Sequence, residues 1–156
     1  RILYHDPVPA PQELLARLGA SYCSLEELLS GSDIISLHVP LTDDTHHLID
    51  WRALERIKPS AFLINTSRGS LVDEQALYEA LAQGKLAGAA CDVFSNEPPQ
   101  DSPLLALDNF IATPHLGAAT VQTTLRMGLR AVENVLAVLR GERPADVVNP
   151  EVYSRR

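Results

Sequence analysis

Ala61-Phe62-Leu63-Ile64-Asn65 is apolar until its last residue, and Thr66-Ser67-Arg68-Gly69 turns abruptly polar. An unbroken apolar run of this length reads as a strand buried on both faces, the kind that builds parallel sheets. The polar residues then stand at the strand's carboxyl end, the crevice side of an open α/β sheet.

The same grammar repeats on either side. Downstream, Asp73-Glu74-Gln75 starts a helix through Leu77, Leu81 and Ala82 to Gly84, and Leu86 to Val93 is another apolar strand. Asn109 to Thr113 is the last strand. Thr120 to Arg140 places Val121, Leu125, Leu129, Val132, Leu136 and Leu139 three and four apart, the period of a long amphipathic helix ending at Gly141. Upstream, Asp33 to Val39 is a strand halted by Pro40, and a helix over Asp50–Ile57 follows a polar loop, Thr42 to His46. Ser24 and Glu27 have capping-box spacing. Glu13 to Leu18 is a short helix closed by Gly19, and Arg1 to His5 is a strand stopped at Asp6-Pro7. Strands alternating with helices predict an α/β fold, a parallel sheet with helices on both faces. The abrupt opening on a strand reads as a fold entered in its middle, and the segment after Gly141 as an extended tail or a return to another domain.

Composition narrows the partners. With 13 basic and 20 acidic side chains among 156 residues the formal charge is −7, which gives no general attraction to nucleic acid or to an anionic membrane. No run is long enough to span a bilayer. Cys23 and Cys91 lack metal-like spacing, and Cys91 in its apolar run reads as a buried thiol. A reducing, cytoplasmic setting fits, and no metal site is expected, because His5, His46 and His47 show no ligand spacing.

The strand ends gather chemistry. Asp6 either accepts hydrogen bonds from adenosine ribose hydroxyls, favouring NAD over NADP, or is a solvated turn aspartate before proline. Arg68 can hold a carboxylate through two parallel hydrogen bonds, beside a conformationally permissive Gly69, or is an ordinary surface arginine. Glu97 and His115 form a natural acid–base pair, the glutamate orienting a ring that exchanges protons near neutral pH. The competing reading is a solvated loop glutamate and a fold-stabilising histidine. Asp92 lies at the nicotinamide side or caps a turn, and His38 suits a cofactor contact better than proton transfer. No Gly-x-Gly-x-x-Gly occurs in the 156 residues, so the loop that usually holds a dinucleotide diphosphate is not in this sequence.

Leu37-His38-Val39-Pro40-Leu41-Thr42, Asn65-Thr66-Ser67-Arg68-Gly69, Ala90-Cys91-Asp92-Val93-Phe94-Ser95-Asn96-Glu97-Pro98 and Thr113-Pro114-His115-Leu116-Gly117 follow one another in an order and spacing far more specific than any one motif. Together they resemble the D-isomer-specific 2-hydroxyacid dehydrogenases, over nearly the whole chain and including Val148-Asn149-Pro150-Glu151-Val152. The resemblance implies a Rossmann-like fold lacking its first βα unit, with residues 1–140 a partial NAD-binding domain and 141–156 a tail or return. It implies Arg68 as the substrate-binding catalytic arginine, Glu97 as the acid tuning the histidine, and His115 as general acid/base. Asp6 matches the ribose acid, while His38, Val39, Pro40, Thr66 and Asp92 match cofactor-lining positions. The implied cofactor is NAD, the substrate a small 2-hydroxy or 2-oxo acid and the assembly a homodimer. Glutamate at position 97 argues against formate dehydrogenases, where glutamine is common. Little or no turnover is expected of these 156 residues alone. The alternative is a non-enzymatic, NAD(H)-sensing protein-binding module of the corepressor type.

Overall fold

The computed structural model describes residues 1–154. Its strands are β1 (Ile2–Tyr4), β2 (Ala20–Tyr22), β3 (Ile34–Leu37), β4 (Phe62–Asn65), β5 (Gly88–Cys91) and β6 (Phe110–Ala112). The α-helices are α1 (Gln12–Leu18), α2 (Leu25–Gly31), α3 (Trp51–Arg56), α4 (Glu74–Ala82) and α5 (Val121–Leu139). Short polar side chains start most of these helices by accepting backbone N–H groups that have no partner within the helix. Ser24 accepts from Glu27 in a complete capping box, Asp50 from Ala53, Asp73 from Gln75 and Ala76, and Thr120 from Thr123. Gly19 ends α1 at φ +61°, a left-handed conformation that glycine adopts without steric cost.

All strand pairs are parallel, as the alternation of strands and helices implies. They form two sheets: β1–β2, and a four-stranded sheet in the order β3-β4-β5-β6. In the larger sheet Ile35, Leu37, Leu63, Ala89 and Cys91 point to one face. There they join Leu29 of α2, Leu54 of α3 and Leu77 and Leu81 of α4 in a single core. On the opposite face Ile34, Phe62 and Ile111 are exposed.

Between the two sheets, β1 and β3 each have an edge without a strand partner among the described residues. One cavity, of about 780 Å³, is lined from the amino ends of both strands by residues including Ile2, Leu3, Asp33 and Ile34. A second, of about 420 Å³, is lined from their carboxyl ends by residues including His5, Asp6, Leu37 and His38. The strands therefore run in the same direction on either side of a gap suited to one further parallel strand. This is a Rossmann-like arrangement whose first βα unit is not among these residues.

Arg1–His115 forms one compact unit, and the chain from Leu116 onward forms a second. The second unit is built on α5, closed by a Schellman pair in which Glu142 N–H donates to the Ala137 carbonyl and Gly141 N–H to Val138. Arg130 holds Asp146 through Nε–Oδ2 at 2.5 Å and Nη2–Oδ1 at 3.1 Å. The expected period of α5 is present, yet none of its residues is buried. The segment after Gly141, read as an extended tail or a return to another domain, includes a 3₁₀ turn over Pro150–Ser154, a start that suits proline because the first residue of a helix needs no N–H partner.

Candidate active site

At the end of β4, Asn65 is only 1% exposed. Its Oδ1 accepts the Ser67 N–H at 3.1 Å, and its Nδ2 donates to the Arg68 carbonyl at 2.9 Å. One buried amide thus closes the turn that brings Arg68 to the surface. Ser67 Oγ donates to the Val39 carbonyl at 2.6 Å, tying this turn to the segment after β3. Arg68 Nη1 rests on the Ser67 carbonyl at 2.6 Å.

Gly69 is needed for space, not for its conformational freedom. It is buried and is not among the glycines with positive φ. A Cβ there would lie 2.0 Å from the Phe94 carbonyl carbon and 2.3 Å from Ser95 N. The Arg68 turn therefore packs directly against the turn that leads to Glu97.

Glu97 and His115 are brought together across 18 residues of sequence. His115 Nδ1 is 2.8 Å from Glu97 Oε2, and because an ionised carboxylate only accepts, Nδ1 carries the hydrogen. Glu97 Oε1 accepts the Phe94 N–H at 3.0 Å. The hydrogen bond from His115, followed by that from Phe94, holds the Glu97 carboxyl below the usual glutamate range. His115 has φ +55°, uncommon for a residue with a side chain. Its N–H donates to the Thr113 carbonyl at 3.0 Å, which fixes the bend after β6. One strand over, Asp92 accepts from the Thr113 hydroxyl and donates its own N–H to the Asn65 carbonyl at 2.9 Å. The ends of β4, β5 and β6 are thereby joined through polar contacts.

The cofactor candidates are more scattered. Asp6 Oδ1 accepts the Val8 N–H at 2.8 Å, an Asx turn that orients the carboxylate. His38 Nε2 is 2.9 Å from Ser36 Oγ. Asp6, His38 and Val39 share the 420 Å³ cleft. Thr66 is exposed beside Arg68, and the Pro40 carbonyl accepts the Thr45 hydroxyl at 2.7 Å. Burial pushes the Cys91 thiol up to about 12, with Glu74 adding to the effect, so at neutral pH it is an inert core thiol. His46 and His47 stack with their ring centres 4.0 Å apart, and no group of three or more His, Cys, Asp or Glu among the described residues could hold a metal ion.

The sequence assigns no individual role to Asn65, Ser67 or Glu74, although Asn65 and Ser67 lie in the polar stretch that ends β4. For Asn65 a signal exists: an asparagine ending a buried strand, two residues before a serine, has Asx-turn spacing. Glu74 offers none, because its contact is 21 residues away, where its carboxylate accepts the Ser95 N–H at 2.7 Å.

Residues 1–117 match the model of the D-isomer specific 2-hydroxyacid dehydrogenase family, NAD binding domain. The chain is 48% identical over 157 aligned residues to a glyoxylate reductase of Korarchaeum cryptofilum, covering 100% of this chain and 47% of that protein. Among solved structures, the TT0316 protein of Thermus thermophilus matches with TM-score 0.87 and 48% identity, over 95% of this chain and 46% of that one. D-lactate dehydrogenase with NAD+ from Lactobacillus jensenii matches with TM-score 0.84 and 31% identity, over 95% and 48%. The chain thus spans about half the length of the relatives it matches. From this agreement of sequence and fold, the chain belongs to the D-isomer specific 2-hydroxyacid dehydrogenase family, and its residues 1–117 are part of that family's NAD-binding domain.

Proposed function

We propose that this chain is the catalytic half of an oxidoreductase that interconverts a 2-oxo acid and its D-2-hydroxy acid with NAD(H). The observation that carries this reading is the Glu97–His115 contact of 2.8 Å, on loops following two adjacent parallel strands. Fixing the hydrogen on Nδ1 assigns the other ring nitrogen, Nε2, to proton exchange with the substrate oxygen. Glu97 stabilises the imidazolium that forms when the hydroxy acid is oxidised, and His115 returns that proton on reduction. Arg68, beyond the turn closed by Asn65, binds the substrate carboxylate and draws charge from the adjacent carbonyl. Bound NADH supplies the hydride to C2.

The residues present fit part of the cofactor. Asp6, oriented by its Asx turn, would offer a carboxylate to ribose hydroxyls; His38 and Val39 share its cleft, and Pro40, Thr66 and Asp92 at the strand ends would hold the rest of the cofactor. No residues here form a glycine-rich diphosphate loop. These 156 residues alone therefore bind NADH weakly and show little or no turnover. Both cysteines are free, in keeping with a cytoplasmic enzyme. The exposed apolar side chains of α5 suit a homodimer contact.

The test is NADH oxidation by a protein that joins these residues to a glycine-rich loop and a substrate domain. Glyoxylate, hydroxypyruvate, pyruvate and phosphohydroxypyruvate form the panel. Glyoxylate is the expected best substrate, given the kinship with a glyoxylate reductase. His115→Ala should lower kcat by about 10²–10⁴-fold, the range for loss of a general acid. Absence of turnover across the panel despite NADH binding would replace this reading with the NAD-sensing, protein-binding one.

A further inference from the structure

Glu74 is the first residue of α4, yet its carboxylate does not serve its own helix. Asp73 already caps α4, accepting from Gln75 N–H and Ala76 N–H at 3.1 Å each. Glu74 instead reaches out to the Ser95 N–H, 2.7 Å away. A hydrogen bond to a charged carboxylate is among the stronger kinds in proteins. The Phe94–Ser95 peptide is consequently held from two directions. On one side Glu74 takes its N–H. On the other it packs on Gly69, where even a methyl group would overlap it.

That peptide lies between the two parts of the site. Gly69 follows Arg68 directly. The Phe94 N–H is taken by Glu97 Oε1, whose partner oxygen Oε2 receives His115. Ser70 Oγ also meets Ser95 Oγ, at 3.3 Å. The placement of the 94–97 turn therefore sets how Glu97 meets His115 and where that pair stands relative to Arg68. Glu74 brings a full charge to the backbone of this turn from a different element, the start of α4.

We propose that Glu74 is a positioning residue for the acid–base pair, its carboxylate clamping the Phe94–Ser95 peptide against Gly69 so that Glu97 is aimed at His115. This rests on the dehydrogenase reading for its purpose, but its geometry can be tested without turnover.

The experiment is an NMR titration of the 156-residue chain, following the Glu97 side-chain carboxyl and the His115 Nδ1 resonance. Glu74→Ala, Glu74→Gln and Gly69→Ala are compared with Gln75→Ala, which removes the neighbouring Gln75–Glu79 contact and leaves the turn alone. In Glu74→Ala the Glu97 midpoint should rise toward the ordinary glutamate range, and the Nδ1 resonance should lose its hydrogen-bonded shift. Glu74→Gln, which keeps an acceptor oxygen without the charge, should show a smaller change in the same direction. Gly69→Ala should reproduce the Glu74→Ala change with the Glu74 charge intact, and Gln75→Ala should leave both signals in place. Should Glu74→Ala fail to fold, Glu74→Gln decides the matter. Wild-type values in a folded Glu74→Ala, or in Glu74→Gln where it must stand in, overturn the proposal. A wild-type chain with no Glu97–His115 hydrogen bond would instead count against the dehydrogenase reading.

Discussion

The sheets β1–β2 and β3–β6 draw on similar apolar residues but differ in what encloses them. On its core face the larger sheet buries Leu63 fully and Ile35 and Leu37 nearly so, although Ile34, Phe62 and Ile111 on its other face are exposed. In the smaller sheet no strand residue is buried, and Ile2 and Tyr22 are about half exposed. The difference divides the proposed function. Arg68, Glu97 and His115 follow strands of the sheet that carries the core, whereas Asp6 follows β1, whose other edge faces the gap beside β3. The groups proposed for proton transfer and carboxylate binding are thus seated on a packed core. Asp6, the acid proposed for the ribose, stands on a ladder that a further strand would complete.

Truncating one apolar side chain in each sheet should show the difference most strongly. Leu63→Ala opens a cavity at the centre of the core and should cost about 2–5 kcal/mol. Ile2→Ala removes a half-exposed side chain and should cost under about 1 kcal/mol, below the usual range for buried truncations. Urea unfolding of the 156-residue chain measures both. Equal losses would show that β1–β2 belongs to the same cooperative core.

Asn65→Ala comes next. It removes both hydrogen bonds of the buried amide and leaves the Arg68 carbonyl and Ser67 N–H to find other partners. A cost of about 1–3 kcal/mol is expected, with the largest NMR shifts at Ser67 and Arg68. A change confined to position 65 would mean that Asn65 has no part in presenting Arg68. Hydrogen exchange sharpens the contrast between the sheets. Backbone amides in the β3–β4 and β4–β5 ladders should exchange many-fold more slowly than those in β1–β2, because local opening is easiest where few apolar contacts must be broken. Uniform protection across both sheets would contradict that contrast.

What could be read from the sequence depended on range. Helix starts at Ser24, Asp50, Asp73 and Thr120 were legible because a cap is decided within three residues. The parallel strands were legible because Ala61 to Asn65 and Leu86 to Val93 are apolar on both sides. Glu97 and His115 suggest an acid–base pair by residue type at two strand ends, and their place in a familiar series of motifs strengthens that reading, but neither gives their separation. The 2.8 Å contact between them depends on the bend after β6, where His115 takes a positive φ that its residue type does not announce. Glu74 was illegible for the same reason, since its partner is distant in sequence and is a backbone amide, which every residue except proline carries. For Gly69 the residue type announces conformational freedom, which the fold does not use, whereas the close approach of Phe94, which requires glycine, is not visible in the sequence. The stripe on α5 illustrates the converse. Its period foretold the helix correctly but does not specify what covers it.

The smallest expected effects are electrostatic, and here the two compact units can be compared. Glu97 is held low first by its hydrogen bond to His115, and Asp146 first by its hydrogen bond to Arg130, with Asn134 contributing. A carboxylate whose folded value is depressed stabilises the fold above its unfolded value, and that contribution disappears as the pH falls through the folded value. The carboxylate's contribution in each pair should therefore be lost in acid, as the pH falls from the ordinary carboxylate range through the depressed folded value. Both carboxylates are exposed, so 1 M salt should shrink the effect by screening. Asp146→Asn should flatten the acid dependence of α5 helicity, read by circular dichroism, and leave the Glu97 titration unchanged. Glu97→Gln should alter the His115 ring signals and leave the helix alone. If either substitution moved the other unit's acid response, the two units would be energetically coupled, and the division of the chain after His115 would mark a boundary in compactness but not in stability.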